Sequence, residues 1–430
     1  MRIALVNEFF APHASGGAEG STEALARALV KSGHHVVVIT PNWGAAAVEA
    51  RDGMRIRRFR LPFVRARPPG PPAHAQRVLT NPLRYVVSGL QIARLARAER
   101  VDVLHVQNKH MLVPGVLARA LTGRPLLLTI RDTSLIDPTP VCLHAADRRP
   151  ADCGVRKLWR ECAPAYFDEY MRGRRRSRLR TRLAFLYGWL DATYVRQRLL
   201  PSVDAIVGVS DGILGIHRRS GLLDRVRRVE TIYTIPPLEV PSTPAAGAAA
   251  RQRHGLAGPI VLFVGKLSPG KGAPDFLAAA ERVHARHPGA LFVLVGEGQV
   301  AVPAVSWLRH LGRLPNADVL ALYAAADVVA VPSVIPDAFS RVVLEAMTAG
   351  RAVVATAVGG TPELIEDADS GLLVPRRDPP ALAAAIARLL DEPALAARLG
   401  AAARRRVATR FASEASVERL LALYAAVRAA

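Results

Sequence analysis

Asp337 and Glu345 stand eight positions apart in PDAFSRVVLEAM, residues 336–347, the first in a loop pattern and the second among Val343, Leu344, Ala346 and Met347. An unpaired carboxylate in so apolar a setting is costly, so Glu345 requires hydroxyl or amide donors. Ser340 reads as a helix cap, RVVLEAMTA as the helix and Gly350 as its stop. Free amides at such a helix start form an anion site worth about 0.3 to 1 kcal/mol, and up to about 2 when partly buried. Two acids beside an anion site would suit a phosphorylated sugar, whose hydroxyls are donors. An acid that only caps or pairs within the fold would fit the same residues.

Upstream, VGKLSPGKG carries Lys266 and Lys271 among Gly265, Gly270 and Gly272. At the tip of a strand, glycines let backbone approach a ligand and two ammonium groups would meet a diphosphate. The GKS or GKT ending of a P-loop is missing. Surface lysines beside turn glycines would give the same pattern. In VGGTPELIED, Thr361 as cap, Pro362 at the first helical position and Glu363 behind it make a helix start of mainly structural use.

These loops need strands behind them. RIALVN, HHVVVIT, VDVLHV, PLLLTI and VDAIVGVS are short apolar runs alternating with helical patterns such as TEALARALVKSG, which stops at Gly33. After the Pro- and Ala-rich stretch TIPPLEVPSTPAAGAAARQ the pattern restarts with PIVLFVGKLSPGKG, ALFVLVGEG, ADVVAVPS and RAVVATAVGG. Alternation of this kind implies parallel sheets covered on both faces. The expected architecture is α/β, with two doubly wound, Rossmann-like domains facing across a cleft. Residues 1–238 form the first domain and 239–410 the second, and a C-terminal helix at about 411–430 packs back on the first. Ligands in such sheets sit beyond the carboxyl ends of the strands.

Length and composition agree: 430 residues exceed what one core usually serves, and 50% are hydrophobic. The net charge of +22 favours anionic partners, whether nucleic acid, lipid headgroup or sugar nucleotide. MRIALVNEFF reads as a first strand and not a signal peptide, and no run approaches the about 20 apolar residues that cross a bilayer, so a cytoplasmic location is expected. RGRRRSRLRTR, Arg172 to Arg182, holds seven arginines without an acid and leads into LAFLYGWL. It suits a solvated helix face or docking on an anionic membrane, which would make the chain peripheral on the inner membrane surface. The three cysteines, Cys142, Cys153 and Cys162, argue against a secreted disulfide framework. With His144 they could form a Cys3His zinc set, although the spacing is not of the paired kind, and reduced thiols in an ordered loop are the other reading.

FVGKLSPGKG, LVGEG, LGRLPNADVLALYAAADVVAVPS and PDAFSRVVLEAMTAGRAVVATAVGGTPELIEDADSGLLV, taken together across residues 258–375, resemble the retaining glycosyltransferases of family 4, and SGGAEGS resembles their amino-terminal glycine loop. The resemblance implies the GT-B fold, a nucleotide-diphosphate sugar donor held mostly by the second domain and an acceptor glycan, lipid or small molecule held mostly by the first. No cofactor or metal is implied. Lys266 and Lys271 would contact the diphosphate, with Lys266 where Arg is common, while Glu345 would hold the ribose and Asp337 the transferred sugar. Gly16, Gly17, Gly265, Gly296 and Glu297 fall at donor-binding positions. So do Arg313, Leu314, Phe339, Ser340 and Arg341, with Ser340 and Arg341 replacing the usual Gly and aliphatic pair. Arg131 and Asp132, in LLLTIRDTS, stand where many members carry His and become catalytic candidates. His105 would be an acceptor-side residue or a satisfied core histidine.

The implied function is transfer of a sugar to an acceptor hydroxyl in glycan, glycolipid or cell-envelope polysaccharide synthesis. A sugar-nucleotide epimerase or a sugar phosphorylase can share the architecture. A basic nucleic-acid-binding protein would also explain the charge, but no reading module of that kind is visible.

Overall fold

A computed structural model of the chain describes residues 1–13, 16–62, 79–136, 153–171, 177–236 and 240–430. They form two compact units, the first from the described residues of 1–140, 186–235 and 413–430, the second from those of 141–185 and 236–412.

The first unit is built on eight strands: β1 (Arg2–Val6), β2 (His35–Pro41), β3 (Val48–Arg51), β4 (Met54–Phe59), β5 (Val103–Val106), β6 (Leu126–Ile130), β7 (Ala205–Gly208) and β8 (Val229–Thr231). Their order is β3-β4-β2-β1-β5-β6-β7-β8. Each neighbouring pair is parallel except β3 and β4, which run antiparallel through a two-residue turn at Asp52 and Gly53. Both turn residues have positive φ, 48° and 75°, as a hairpin matched to strand twist demands.

Helix Gly17–Lys31 packs Leu25 and Leu29 on Ile3, Leu5 and Val38. Gly16 is its extended N-cap, so SGGAEGS is helical from Gly17 onward and not the loop its glycines suggest. Helix Ser413–Arg428 adds Val417, Leu420, Leu423 and Tyr424 to the same core.

The second unit has six strands: β9 (Ile260–Val264), β10 (Leu291–Val295), β11 (Leu308–His310), β12 (Val328–Val331), β13 (Ala352–Thr356) and β14 (Leu372–Val374). All pairs are parallel, in the order β11-β10-β9-β12-β13-β14. The chain winds outward from β9 in one direction and from β12 in the other. A crevice therefore opens between their carboxyl ends, and the same reversal occurs between β1 and β5 of the first sheet.

Residues 153–171 and 177–185, which the sequence reading put in the first domain, pack with the second unit. Tyr170 lies over Gly270, and Glu169 pairs with Arg377 at 3.7 Å. The boundary at 238 falls outside the described residues. No described helix is long and apolar enough to cross a membrane.

Candidate active site

At the second switch point, β9 ends in Gly265 and the chain makes a 3-10 turn, Pro269–Lys271, before helix Ala273–Arg286. The Lys271 ammonium donates to Asp337 Oδ2 at 2.8 Å, and Ser333 Oγ donates to the same oxygen at 3.1 Å. Lys271 thus follows β9 and Asp337 follows β12, the two strands whose tips bound the crevice. Their side chains are 35% and 19% exposed, open enough for a solvent-borne ligand. Lys266 is exposed, with no hydrogen bond or ion pair among the described residues.

Asp337 is fixed from behind. Gly360 N–H donates to its carbonyl at 2.8 Å, and a Cβ on Gly359, at φ 57°, would come within 2.1 Å of that oxygen. The Gly-Gly turn is thus shaped around Asp337. The following helix, Thr361–Leu364, starts at Thr361 with Gly360 as N-cap, one residue earlier than the cap assigned from sequence.

Several sequence expectations change here. Ser340 precedes helix Arg341–Thr348 but its side chain makes no cap hydrogen bond. Buried Glu345 finds its donors inside the protein: Tyr323 hydroxyl at 2.9 Å on Oε2 and Arg341 Nε at 2.6 Å on Oε1. Gly272 and Gly270 face protein and not ligand, because a Cβ would meet the Pro332 carbonyl at 1.7 Å in one case and the Tyr170 hydroxyl at 2.4 Å in the other. Gly296 approaches the Gly265 carbonyl in the same way, at 2.0 Å. Of these four glycines, Gly265 is the one where a Cβ would find space, with Phe263 nearest at 3.9 Å, although its φ of 152° still favours glycine. Glu297 and Arg313 are exposed and Leu314 is half-buried. Phe339 is buried edge-on against Phe411, with ring centroids 5.4 Å apart.

At the first switch point the polar groups are mostly buried. Asn108 Nδ2 donates to Asn7 Oδ1 at 2.7 Å, and His110 Nδ1 bonds Glu8 Oε2, so both pairs tie the tip of β1 to that of β5. Lys109 reaches Asp132 at 3.3 Å and also bonds Ser134. Burial would raise the Asp132 carboxyl, but Lys109 and Ser134 outweigh it and hold it at about 2. Arg131 donates to the carbonyl and Oε1 of Gln107, at 3.2 and 2.7 Å, and burial lowers it to about 10. Burial likewise raises Glu19, on the first helix. Three polar atoms at these tips, Asn7 Nδ2, Gln107 Nε2 and Asn108 Oδ1, are buried without a hydrogen-bond partner.

The two halves of the chain match family models described as Glycosyltransferase Family 4, over residues 15–235, and Glycosyl transferases group 1, over residues 258–392. A 2-deoxystreptamine N-acetyl-D-glucosaminyltransferase of Streptomyces fradiae is 30% identical over 86% of this chain and 81% of its own length. The chain belongs to glycosyltransferase family 4.

The glycogen synthase of Mycobacterium tuberculosis is 36% identical, but the match spans 41% of that protein and 38% of this one. A D-inositol 3-phosphate glycosyltransferase of Salinispora arenicola is 38% identical over 46% of its length and 42% of this chain. The chain thus matches less than half the length of these two relatives. Among solved structures, HepE of Anabaena in complex with UDP-glucose has a TM-score of 0.68 at 18% identity, covering 99% of this chain and all of that one. Sucrose-phosphate synthase of Thermosynechococcus elongatus has 0.68 at 21%, covering 100% of both. Those likenesses carry the fold, which is GT-B.

Within this family frame, Lys271 and Asp337 meet directly, Glu345 is committed to Tyr323 and Arg341, and half-buried Arg131 and Asp132, the latter with its side chain 40% exposed, bond within the first unit's polar network. His105 is not on an open surface. It is buried, with Nδ1 bonded to Tyr424 hydroxyl and Nε2 to Thr129 Oγ1, both at 2.7 Å, and burial first, then Arg131, lowers it to about 3. It is a core histidine. Cys153 and Cys162 are half-buried, Cys142 and His144 lie outside the described residues, and no described group of three His, Cys, Asp or Glu could hold a metal. Sequence reading missed Asn7, Glu8, Gln107, Asn108, Lys109 and His110. Their signal was position: each lies within four residues of the end of an apolar run of a parallel sheet.

Proposed function

We propose that the chain moves a sugar from a nucleotide-diphosphate donor to an acceptor hydroxyl, with retention at the anomeric carbon, in the synthesis of a glycan, glycolipid or cell-envelope polysaccharide. The observation that carries this reading is the Lys271–Asp337 pair at the second switch point, a cation and an acid held half-open where a doubly wound sheet takes its ligand. Family membership and the UDP-glucose bound by HepE support it.

On this reading the donor diphosphate takes the Lys271 ammonium from Asp337, and Lys266 supplies a second cation. As the bond from the anomeric carbon to the diphosphate breaks, its electron pair goes to the phosphate oxygen, where the lysines stabilise the charge. The acceptor oxygen bonds the anomeric carbon and gives its proton to an oxygen of the departing diphosphate. Asp337, released from Lys271, is free to accept from a sugar hydroxyl. Glu345 reaches a ribose only by exchanging Arg341 for it. The three unpartnered polar atoms at the first switch point support an acceptor rich in hydroxyls there. Peripheral placement on an anionic membrane belongs to the same reading.

Thermal unfolding with UDP-, GDP- and ADP-sugars tests the proposal. A donor present at 100 times its Kd stabilises the folded state by about 2.7 kcal/mol. A melting temperature unmoved by every nucleotide sugar would overturn the reading. Turnover of the donor without an acceptor would favour an epimerase, and dependence on inorganic phosphate a phosphorylase.

A further inference from the structure

The donor and acceptor chemistry leaves one surface of the first unit unused. Helix Pro82–Ala98 turns Tyr85, Ser88, Ile92 and Leu95 inward and presents Leu83, Val86 and Leu90 outward. Steps of three and four residues align these on one ridge, which Arg94 extends. A second helical rod runs through residues 186–199, with a π-helical turn at Asp191–Arg196. It presents Tyr187, Leu190 and Tyr194 at the same spacing, and the six apolar side chains are between 42% and 54% exposed. Tyr187 hydroxyl donates to the carbonyl of Thr80, two residues before the first helix, so the ridges adjoin.

Soluble surfaces carry large apolar residues singly, and adjoining ridges of them mark an interaction face. The charges around this one have a single sign. Helix Pro82–Ala98 contains no acid. The only acid in residues 186–199, Asp191, is buried against Arg196 at 2.8 Å and accepts from Tyr85. Arg94 and Arg198 are exposed, the latter over the Tyr194 ring at 5.2 Å.

We propose that this face docks on an anionic lipid bilayer. Leucine and valine would enter the acyl boundary, the tyrosines would lie at headgroup depth, and the arginines would pair with lipid phosphates. A second copy of the chain is a poorer occupant, because it would set arginine against arginine in a protein of net charge +22. The two ridges specify the membrane placement in the function proposed above and rest on that part of it alone. Lys266, Lys271 and Asp337, on which the donor reading rests, lie in the other unit.

The test is co-sedimentation of the full chain with phosphatidylcholine vesicles, with and without phosphatidylglycerol. The wild type should pellet with the anionic vesicles. The double variant Leu83→Ser, Leu90→Ser keeps every charge, and its affinity should fall at least about tenfold. Arg94→Gln and Arg198→Gln should each cost about fivefold. Melting temperatures and nucleotide-sugar stabilisation should be unchanged in all variants, which separates failure here from failure of the transferase reading. A wild type that stays in solution with anionic vesicles overturns the proposal. So does equal binding by the leucine variant, which would reduce the effect to net charge. Vesicle-independent dimers abolished by the same variant would assign the face to a second copy.

Discussion

The two switch points occupy equivalent places in two sheets of the same winding, yet they treat polar groups in opposite ways. In the first unit Glu8, Gln107, His110 and Ser134 are buried, Glu8 bonded to His110, Gln107 to Arg131, and Ser134 to Lys109 and to the more exposed Asp132. In the second, Lys266 stands in solvent and Lys271 and Asp337 remain partly open. Burying a charge is tolerable only when it is paired, so the first site holds Glu8 against His110 before any ligand arrives and leaves over the neutral amide atoms of Asn7, Gln107 and Asn108. The second keeps its cations for a partner that brings negative charge. Polar residues at the first switch point should therefore contribute mainly to stability, and those at the second mainly to activity.

Breaking the buried Glu8–His110 pair should have the largest effect. Glu8→Ala should cost about 3 to 5 kcal/mol, read as a lower denaturant midpoint at unchanged slope. Lys271→Ala should leave that midpoint almost in place and lower the transfer rate about 100- to 1000-fold. If Lys271→Ala unfolds the protein while Glu8→Ala leaves stability intact, the contrast between the units is reversed.

Acid sharpens the comparison next. His105 stays neutral in the folded first unit down to about 3, whereas an unfolded histidine takes its proton near 6.5. Stability is therefore full above pH 6.5 and declines as pH falls towards 3, by at most about 1.4 kcal/mol per pH unit from this group. His105→Gln should flatten the decline, as measured by midpoints at pH 7 and pH 4.5. The smallest effect belongs to exposed Lys266, where Ala should change stability by no more than about 0.5 kcal/mol while weakening nucleotide binding in a calorimetric titration.

The strand tips, with Lys271 and Asp337 as separate candidates on them, were legible because hydrophobic period locates parallel strands, and ligand loops follow their carboxyl ends. The partners of those residues were not. Glu8 and His110 are 102 positions apart, and Tyr323 reaches Glu345 from another helix, so their bonds exist only after folding. The glycines misled for a related reason. Gly270 and Gly272 are small to admit Tyr170 and the Pro332 carbonyl, an answer set by long-range packing. The β3–β4 hairpin did carry a local signal, the Asp52-Gly53 turn, that the search for parallel strands passed over.

Tyr424, on a helix that follows all fourteen described strands in sequence, bonds a histidine on a central strand of the first sheet. Synthesis runs from the amino terminus, so every strand of both sheets is made before this bond can form. The second unit has all of its strands by then and can fold while the first still lacks its last core helix. Removing residues 413–430 should accordingly leave the opening sheet as a persistent aggregation hazard.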